Sequence, residues 1–125
     1  MRLLLDTHIF LWLTADDKRL NQHARGMILD AEKVSISSAS IWEIAIKFRV
    51  GKIRVNPDDA IREIAICGFE ELPVRNSHAA EVAKLPLLHN DPFDRLLIAQ
   101  AITEGLRLLT ADVHLARYSD LVIAI

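Results

Sequence analysis

The chain has 125 residues, of which 51% are hydrophobic and 26% are charged, and its net charge is −2. This length and composition exclude a disordered chain and predict one folded domain over residues 1–125. The net negative charge offers no general attraction to nucleic acid, so a polyanionic partner would need a local basic patch or bound metal ions. The single cysteine, Cys67, excludes an internal disulfide framework and fits a reducing compartment.

The sequence also lacks the marks of a membrane or secreted protein. No apolar stretch approaches the roughly 20 residues that a membrane span requires, and no signal-peptide pattern precedes the first apolar segment. We therefore expect a cytoplasmic protein with no membrane attachment.

Apolar segments typical of strands alternate along the chain with segments of helical periodicity. Residues 3–5 are three consecutive leucines, which predict a strand buried on both faces of a parallel sheet. Further strands are predicted at 34–37, 69–74, 107–109 and 121–125. Helices are predicted at 8–14, 20–31, 38–50, 57–68, 76–85 and 91–105, with a brief helix after residue 112. The alternation indicates an α/β fold with helices on both faces of a parallel sheet, but it does not fix the strand order.

Helix ends are predicted from capping residues and glycines. The residues expected to open helices are Thr7, Ser38 or Ser40, Asn56 with Pro57, Asn76 and Asp91. Apolar residues at helical spacing are expected to be buried, and they include Cys67 and the face formed by Ile61, Ile64 and Ala65. Trp12 and Trp42 are expected in the core or at an interface rather than as platforms for nucleobases.

Four acidic residues lie beside apolar segments, and each has a structural explanation. Asp6 follows the first strand and could end it at a turn. Glu43 could close a capping box with Ser40, or pair with Lys47 on an exposed helix face. Two further acids could stabilise helix starts, namely Asp94 in the first turn after the N-cap Asp91, and Asp112 as a cap of the brief last helix.

Taken together, the four acids favour a shared site. The segments around Glu43 and Asp94 are apolar, and converging carboxylates would repel one another unless cations were bound. An all-oxygen ligand set suits Mg²⁺ or Mn²⁺, which in pairs can catalyse phosphoryl transfer. Asp6 and Asp112 follow strands and belong at one sheet edge, whereas the position of Asp94 cannot be derived from the topology.

Four motifs resemble those of PIN-domain proteins, specifically VapC-type toxins of toxin–antitoxin pairs. They are Leu-Leu-Leu-Asp-Thr at 3–7, Ser-Ala-Ser-Ile-Trp-Glu-Ile at 38–44, His-Asn-Asp-Pro-Phe-Asp-Arg-Leu-Leu-Ile-Ala-Gln-Ala at 89–101 and Leu-Leu-Thr-Ala-Asp at 108–112. The first motif alone is weak. The third, followed at this distance by the fourth, is specific.

The resemblance implies a three-layer α/β/α sandwich around a parallel sheet with the first strand in the centre. It implies a Mg²⁺- or Mn²⁺-dependent endoribonuclease in which Asp6 and Asp94 are the principal metal ligands and Glu43 lies beside them. Asp112 would complete the acidic cluster, with Thr110 and Asp91 in supporting roles. It also implies a homodimer and a small antitoxin that covers the acidic cleft.

Basic residues near these motifs have two interpretations. Lys47, Arg49, Lys52 and Arg54 could form a solvated end of the third helix, or a rim that contacts RNA phosphates. Arg95 could pair with a neighbouring acid or with a substrate phosphate. His8, His89 and His114 lie near the motifs but are expected to be loop or cap residues rather than metal ligands.

Two rival classes of function fit the motifs poorly. Receiver domains need paired acids after the first strand and a late lysine, and dehalogenase-type enzymes need Asp-x-Asp there. Here Thr7-His8 follows Asp6, and no lysine follows residue 84, so both are disfavoured. A non-catalytic, metal-binding module of the same fold that docks a partner remains open, as do the RNA recognised and the number of metal ions.

Overall fold

The computed structural model describes residues 1–125 and contains a five-stranded parallel sheet with six α-helices. The strands are β1 (Arg2–Leu5), β2 (Lys33–Ser37), β3 (Glu70–Leu72), β4 (Arg107–Thr110) and β5 (Val122–Ala124). The helices are α1 (Thr7–Thr14), α2 (Gln22–Asp30), α3 (Ser38–Arg49), α4 (Pro57–Ile66), α5 (Asn76–Glu81) and α6 (Pro92–Glu104). Short 3₁₀ turns cover Val82–Lys84 and Val113–Arg117. The predicted α/β class is confirmed.

Strand β1 lies in the centre of the sheet, whose order is β3-β2-β1-β4-β5. Leu4 is paired with Ser35 of β2 on one side and with Leu108 of β4 on the other. All four pairings are parallel, so the carboxyl ends of the strands lie along one edge. The order places the residues that follow β1 and β4 next to each other, which the sequence pattern alone did not establish.

The three leucines of β1 supply both faces of the core. Leu3 and Leu5 belong to one apolar cluster, with buried residues of α1, α2, α3 and α4 such as Phe10. Leu4 points to the other face and belongs to a second cluster with residues of α6 such as Ile98. Because side chains alternate along a strand, an unbroken apolar run is needed when both faces are covered. The result is the expected three-layer α/β/α arrangement.

Several helix starts differ from the prediction by one residue. Asp6, rather than Thr7, is the N-cap of α1, and Ser37, rather than Ser38 or Ser40, caps α3. The capping box expected between Ser40 and Glu43 is therefore wrong. Both starts follow a strand with no intervening loop, so the strand's last residue or the one after it is the cap, with Asp6 accepting from the N–H of Ile9 and Ser37 from the N–H of Ala39.

The second helix is shorter than predicted, since it begins after Asn21 and ends at Asp30. The fifth helix begins at residue 76 as predicted, but its N-cap is Arg75 rather than Asn76 and it ends at Glu81. Asn56 and Asp91 cap α4 and α6 as predicted.

Two expectations of burial are wrong. Cys67 is exposed although it keeps helical backbone dihedrals as the C-cap of α4, because it lies beyond Ile64, the last buried residue of that helix. On the same helix Ala60 and Ile64 are buried, but Ile61 is 49% exposed and Ala65 is exposed as well, so the predicted face is buried only at Ile64. Trp42 is 59% exposed, which excludes the core and leaves an interface as its predicted place, whereas Trp12 packs against the core as expected.

No helix has the length and apolar character needed to cross a bilayer.

Gly105 ends α6 with a φ of +66°, a left-handed conformation that residues with a Cβ adopt at a cost. A Cβ there would approach only Arg2 Nη2, at 3.7 Å, so the penalty comes from the backbone. We expect Gly105→Ala to lower the free energy of unfolding by about 1 kcal/mol in urea denaturation.

Gly26 provides the matched control, because it lies inside α2 and a Cβ at this position would have no atom within 4 Å. Gly26→Ala should raise the free energy of unfolding by about 0.5–1 kcal/mol. Changes of the same sign in the two variants would contradict this account of the αL residue.

Candidate active site

The Asp6 carboxylate is buried at the carboxyl end of β1 and has two protein partners. Its Oδ1 accepts a hydrogen bond from the backbone N–H of Ile9 at 2.8 Å and thereby caps α1. Its Oδ2 accepts a hydrogen bond from the hydroxyl of Thr110. Burial raises the pKa of Asp6 above its ordinary value, although both hydrogen bonds act in the opposite direction.

Thr110 connects the first and last acids of the site. It is the final residue of β4, the strand beside β1, and the backbone N–H of Asp6 donates to Leu109 O at 3.0 Å. The Thr110 hydroxyl oxygen also accepts from the backbone N–H of Asp112 at 3.1 Å. The Asp112 side chain in turn accepts from the backbone N–H of His114 at 2.9 Å. The pairing of β1 with β4 therefore brings together two acids 106 positions apart in sequence.

Helix α3 contributes a third acid from the opposite side of the sheet edge. Glu43 is buried, and Lys47, one turn later, donates to it at 2.5 Å. The predicted pairing of these residues is present, but it is inside the cleft rather than on an exposed face. The Thr7 hydroxyl donates to Ser40 Oγ at 2.9 Å, which ties the start of α1 to α3.

Helix α6 contributes its amino-terminal end. Asp91 caps the helix and accepts from the backbone N–H groups of Phe93 at 2.8 Å and Asp94 at 3.2 Å. The Asp94 carboxylate is partly buried and lies 3.0 Å from His89 Nε2. Burial, reinforced by the negative charge of Asp91, raises the pKa of Asp94 from 3.8 to about 6.

These side chains line one cleft of about 470 Å³ at the carboxyl edge of the sheet. Its lining comprises Asp6, Thr7, His8, Glu43, Lys47, Asp91, Asp94, Ala111, Asp112, Val113 and His114. The structure thus brings together all four acids singled out from the sequence, together with Asp91. The position of Asp94, which topology could not supply, follows from the packing of α6 with its start at this edge.

The cleft carries five carboxylates and one lysine, and Lys47 is already engaged by Glu43. Their oxygens are the ligands that Mg²⁺ and Mn²⁺ prefer, and the raised pKa values show that the protein alone does not compensate the charge. The donor set therefore fits a divalent cation.

The predicted basic residues divide into three groups. Lys47 lies in the cleft, whereas Arg49, Lys52 and Arg54 are exposed, outside its lining, and in no ion pair. Arg95 pairs with no acid, so that expectation is wrong. Its guanidinium donates instead to the carbonyl of Pro86 at 2.8 Å, because residue 95 points away from Asp94 on the helix.

Three histidines near the site were expected to be loop or cap residues. His8 and His114 line the cleft, and His89 contacts Asp94. In the sequence each of these histidines lies close to Asp6, Asp94 or Asp112, which indicated that it could be near the site. The sequence did not indicate whether its side chain points into the cleft.

Comparison with known proteins agrees with this architecture. The sequence model of the PIN domain matches residues 3–121. The chain belongs to the PIN-domain family. It is 31% identical over 114 residues to Ribonuclease VapC22 of Mycobacterium tuberculosis (strain ATCC 25618 / H37Rv), covering 90% of this chain and 88% of that one.

Two solved structures share the PIN-domain fold of this chain. The first is VapBC2 from Rickettsia felis bound to a DNA fragment from their promoter, with a TM-score of 0.74, 16% identity, and coverage of 100% of this chain and 99% of that one. The second is a toxin–antitoxin complex from Klebsiella pneumoniae, with a TM-score of 0.69, 16% identity, and coverage of 98% and 96%. The resemblance to VapC-type PIN domains noted from the motifs is confirmed.

Ionised Asp94 should destabilise the metal-free protein. Its pKa is higher in the folded state, so that state binds more protons and stability falls as pH rises from about 4 to 6. We expect Asp94→Asn to raise the free energy of unfolding by on the order of 1–2 kcal/mol at pH 8, and much less at pH 4. Chemical denaturation in the presence of chelator measures both values.

The same change at Asp120, an exposed residue with no hydrogen-bonded or ionic partner, is the control and should have little effect at either pH. A gain for Asp94→Asn that is equally large at pH 4 would show that desolvated charge is not the cause.

Proposed function

We propose that this chain is a Mg²⁺- or Mn²⁺-dependent endoribonuclease, the toxin of a toxin–antitoxin pair, which hydrolyses RNA phosphodiesters. The observation that supports this most directly is the convergence of Asp6, Glu43, Asp94 and Asp112 in one cleft that has a single lysine. The 31% identity to a protein named as a ribonuclease supports the substrate class. Since the proposed substrate is RNA, we also propose a cytoplasmic location.

In this proposal Asp6 and Asp94 hold the cation, with Glu43 and Asp112 beside them. A bound Mg²⁺ or Mn²⁺ would activate water and stabilise negative charge on the leaving oxygen, giving 5′-phosphate and 3′-hydroxyl ends. Thr110 orients the Asp6 carboxylate through its hydrogen bond, and the backbone N–H of Ile9 holds the other oxygen. No side chain acts as a covalent nucleophile.

Asp91 and Lys47 have supporting roles in the same scheme. Asp91 fixes the first turn of α6 and so the position of Asp94. Lys47 balances the charge of buried Glu43, which would otherwise repel a phosphate strongly in this partly desolvated cleft. The cleft therefore favours a divalent ion on the Asp94 side, where no carboxylate is paired with a lysine.

We further propose that a small antitoxin covers the acidic cleft and that the chain forms a homodimer. The antitoxin is supported by the titles of the two similar structures, one of a VapBC protein and one of a toxin–antitoxin complex. The dimer is supported by exposed apolar side chains on one face of α3, Trp42 and Ile46, with Val50 just beyond its end.

Replacing a principal ligand should abolish cleavage and leave the fold intact. We expect Asp6→Asn or Asp94→Asn to slow Mg²⁺-dependent RNA cleavage by at least about 10³-fold, the loss of several kcal/mol of transition-state stabilisation. Cleavage of a defined RNA, with circular dichroism of each variant, measures this.

Asp120→Asn, which lies away from the cleft, should cleave at the parent rate, and excess chelator should stop the parent protein. Cleavage by Asp6→Asn at the parent rate would overturn the assignment. Metal binding by the parent without any RNA cleavage would favour the non-catalytic docking module.

The exposed basic residues Lys52 and Arg54 should contribute to RNA binding through phosphate contacts. Replacing both with Gln in an Asp6→Asn background should reduce the slope of log K against log salt by about 1.4, since each contact to a single strand contributes about 0.7. Fluorescence anisotropy with a labelled RNA at several salt concentrations gives the slope.

Lys18 and Lys84, which are exposed and lie on other segments, provide a control pair with the same change in charge. If the two double variants have equal slopes, the residues after α3 form a solvated helix end and not an RNA-binding rim.

A further inference from the structure

A nitrogen ligand lies against the carboxylates on one side of the cleft. His89 Nε2 is 3.0 Å from Asp94 Oδ2, and the ligand atoms of His89, Asp94 and Asp112 all lie within 4.8 Å of one another. All three side chains are partly buried. One side of the cleft therefore offers two carboxylates and an imidazole, which differs from the all-oxygen set expected from the motifs.

The segment that carries His89 is tied to α6 and to the last 3₁₀ turn. The His89 carbonyl accepts long hydrogen bonds from Arg95 Nη1 at 3.5 Å and from the Tyr118 hydroxyl at 3.4 Å. Arg95 also donates to the carbonyls of Pro86 at 2.8 Å and Val82 at 3.3 Å. The guanidinium that the sequence suggested for an acid or a phosphate thus organises the loop before α6 and holds His89 beside Asp94.

The separations suit ligands of a single ion. In an octahedral site with bonds of about 2.1 Å, neighbouring ligands are about 3.0 Å apart and opposite ligands about 4.2 Å apart. The 3.0 Å between His89 and Asp94 matches the distance between neighbouring ligands. The three ligand atoms lie within 4.8 Å of one another, which is about 0.6 Å more than the distance between opposite ligands. Small side-chain rotations would bring all three atoms to one ion.

We propose that His89, Asp94 and Asp112 form a metal site that binds first-row transition-metal dications, with Mn²⁺ as the paramagnetic probe used below, in preference to Mg²⁺. Mg²⁺ retains oxygen ligands and gives up water reluctantly, whereas transition metals gain affinity from an imidazole nitrogen. This inference rests on the proposed metal-dependent function, because Asp94 and Asp112 are shared with that centre and only His89 is new to it. The competing explanation is that His89 only donates a hydrogen bond to a carboxylate that burial makes costly to ionise.

The deciding experiment is pulsed electron paramagnetic resonance on the full chain loaded with Mn²⁺, which detects a directly bound ¹⁴N nucleus through modulation of the spin echo. The parent protein should show nitrogen modulation, and His89→Gln should lose it. His114→Asn removes a histidine that lines the cleft itself and should retain the nitrogen modulation. Titration should show Mn²⁺ affinity reduced about tenfold or more in His89→Gln, with Mg²⁺ affinity within about twofold of the parent.

Three results would overturn the inference. They are absence of nitrogen modulation in the parent protein, its persistence in His89→Gln, and equal weakening of Mn²⁺ and Mg²⁺ in that variant. The first does not depend on any variant folding, and His89→Asn provides a second replacement if His89→Gln is unstable.

Asp94→Asn separates this inference from the proposed function. If that variant loses metal binding and RNA cleavage while the parent has no bound nitrogen, only the histidine site is wrong. If it retains both, the proposed metal-dependent function itself is wrong.

Discussion

The hydrogen bonds to the Asp6 carboxylate are the interactions on which the rest of the site depends. One oxygen caps α1 and the other receives the Thr110 hydroxyl, so a single side chain joins β1, α1 and β4 at the carboxyl edge of the sheet. These bonds fix the carboxylate in an environment where burial disfavours its charge. The fold thus holds the Asp6 carboxylate in one orientation through two hydrogen bonds, but it gives this carboxylate no ion-pair partner.

The acids that the proposed function requires lower the stability of the metal-free protein. Burial, reinforced by neighbouring acids, raises the pKa values of Asp6 and Asp94, and ionisation of these two groups lowers the stability of the metal-free protein. The two apolar clusters on either side of β1 supply the compensating free energy, since they bury leucines of the same strand that presents Asp6. A proposed divalent ion would relieve the repulsion, so that cation binding and folding would be linked.

The sequence predicted the α/β class, most of the elements and the four acids, because these follow from local patterns. The three consecutive leucines of β1 predicted a strand buried on both faces without any knowledge of the strands and helices that pack against them. The alternatives posed for Asp6, a structural role at a strand end or a site residue, do not exclude each other, because each carboxylate oxygen has two lone pairs and accepts only one protein hydrogen bond while the side chain lines the cleft. Asp91 and Asp112 likewise cap helical turns while lining the cleft.

The features that the sequence did not predict depend on where elements end and on how they pack. Cys67 has the right helical spacing for burial, but α4 ends one residue before it. Arg95 lies beside Asp94 in sequence, yet adjacent helix positions point about 100° apart, and its guanidinium meets carbonyls of the preceding loop.

The positions of Asp94 and His89 depend on how α6 packs, which the sequence alone did not predict. These positions make the distribution of charge in the cleft uneven. The α3 side is balanced, because Glu43 has Lys47 as a partner in the cleft. On the α6 side Asp94 and Asp112 have an imidazole beside them, which is no full counter-charge while neutral, and Lys47 acts on Asp94 only as a more distant charge that is not paired with it. A cation that enters this cleft would therefore gain most on the α6 side, and it would meet there the nitrogen donor that all-oxygen chemistry does not supply.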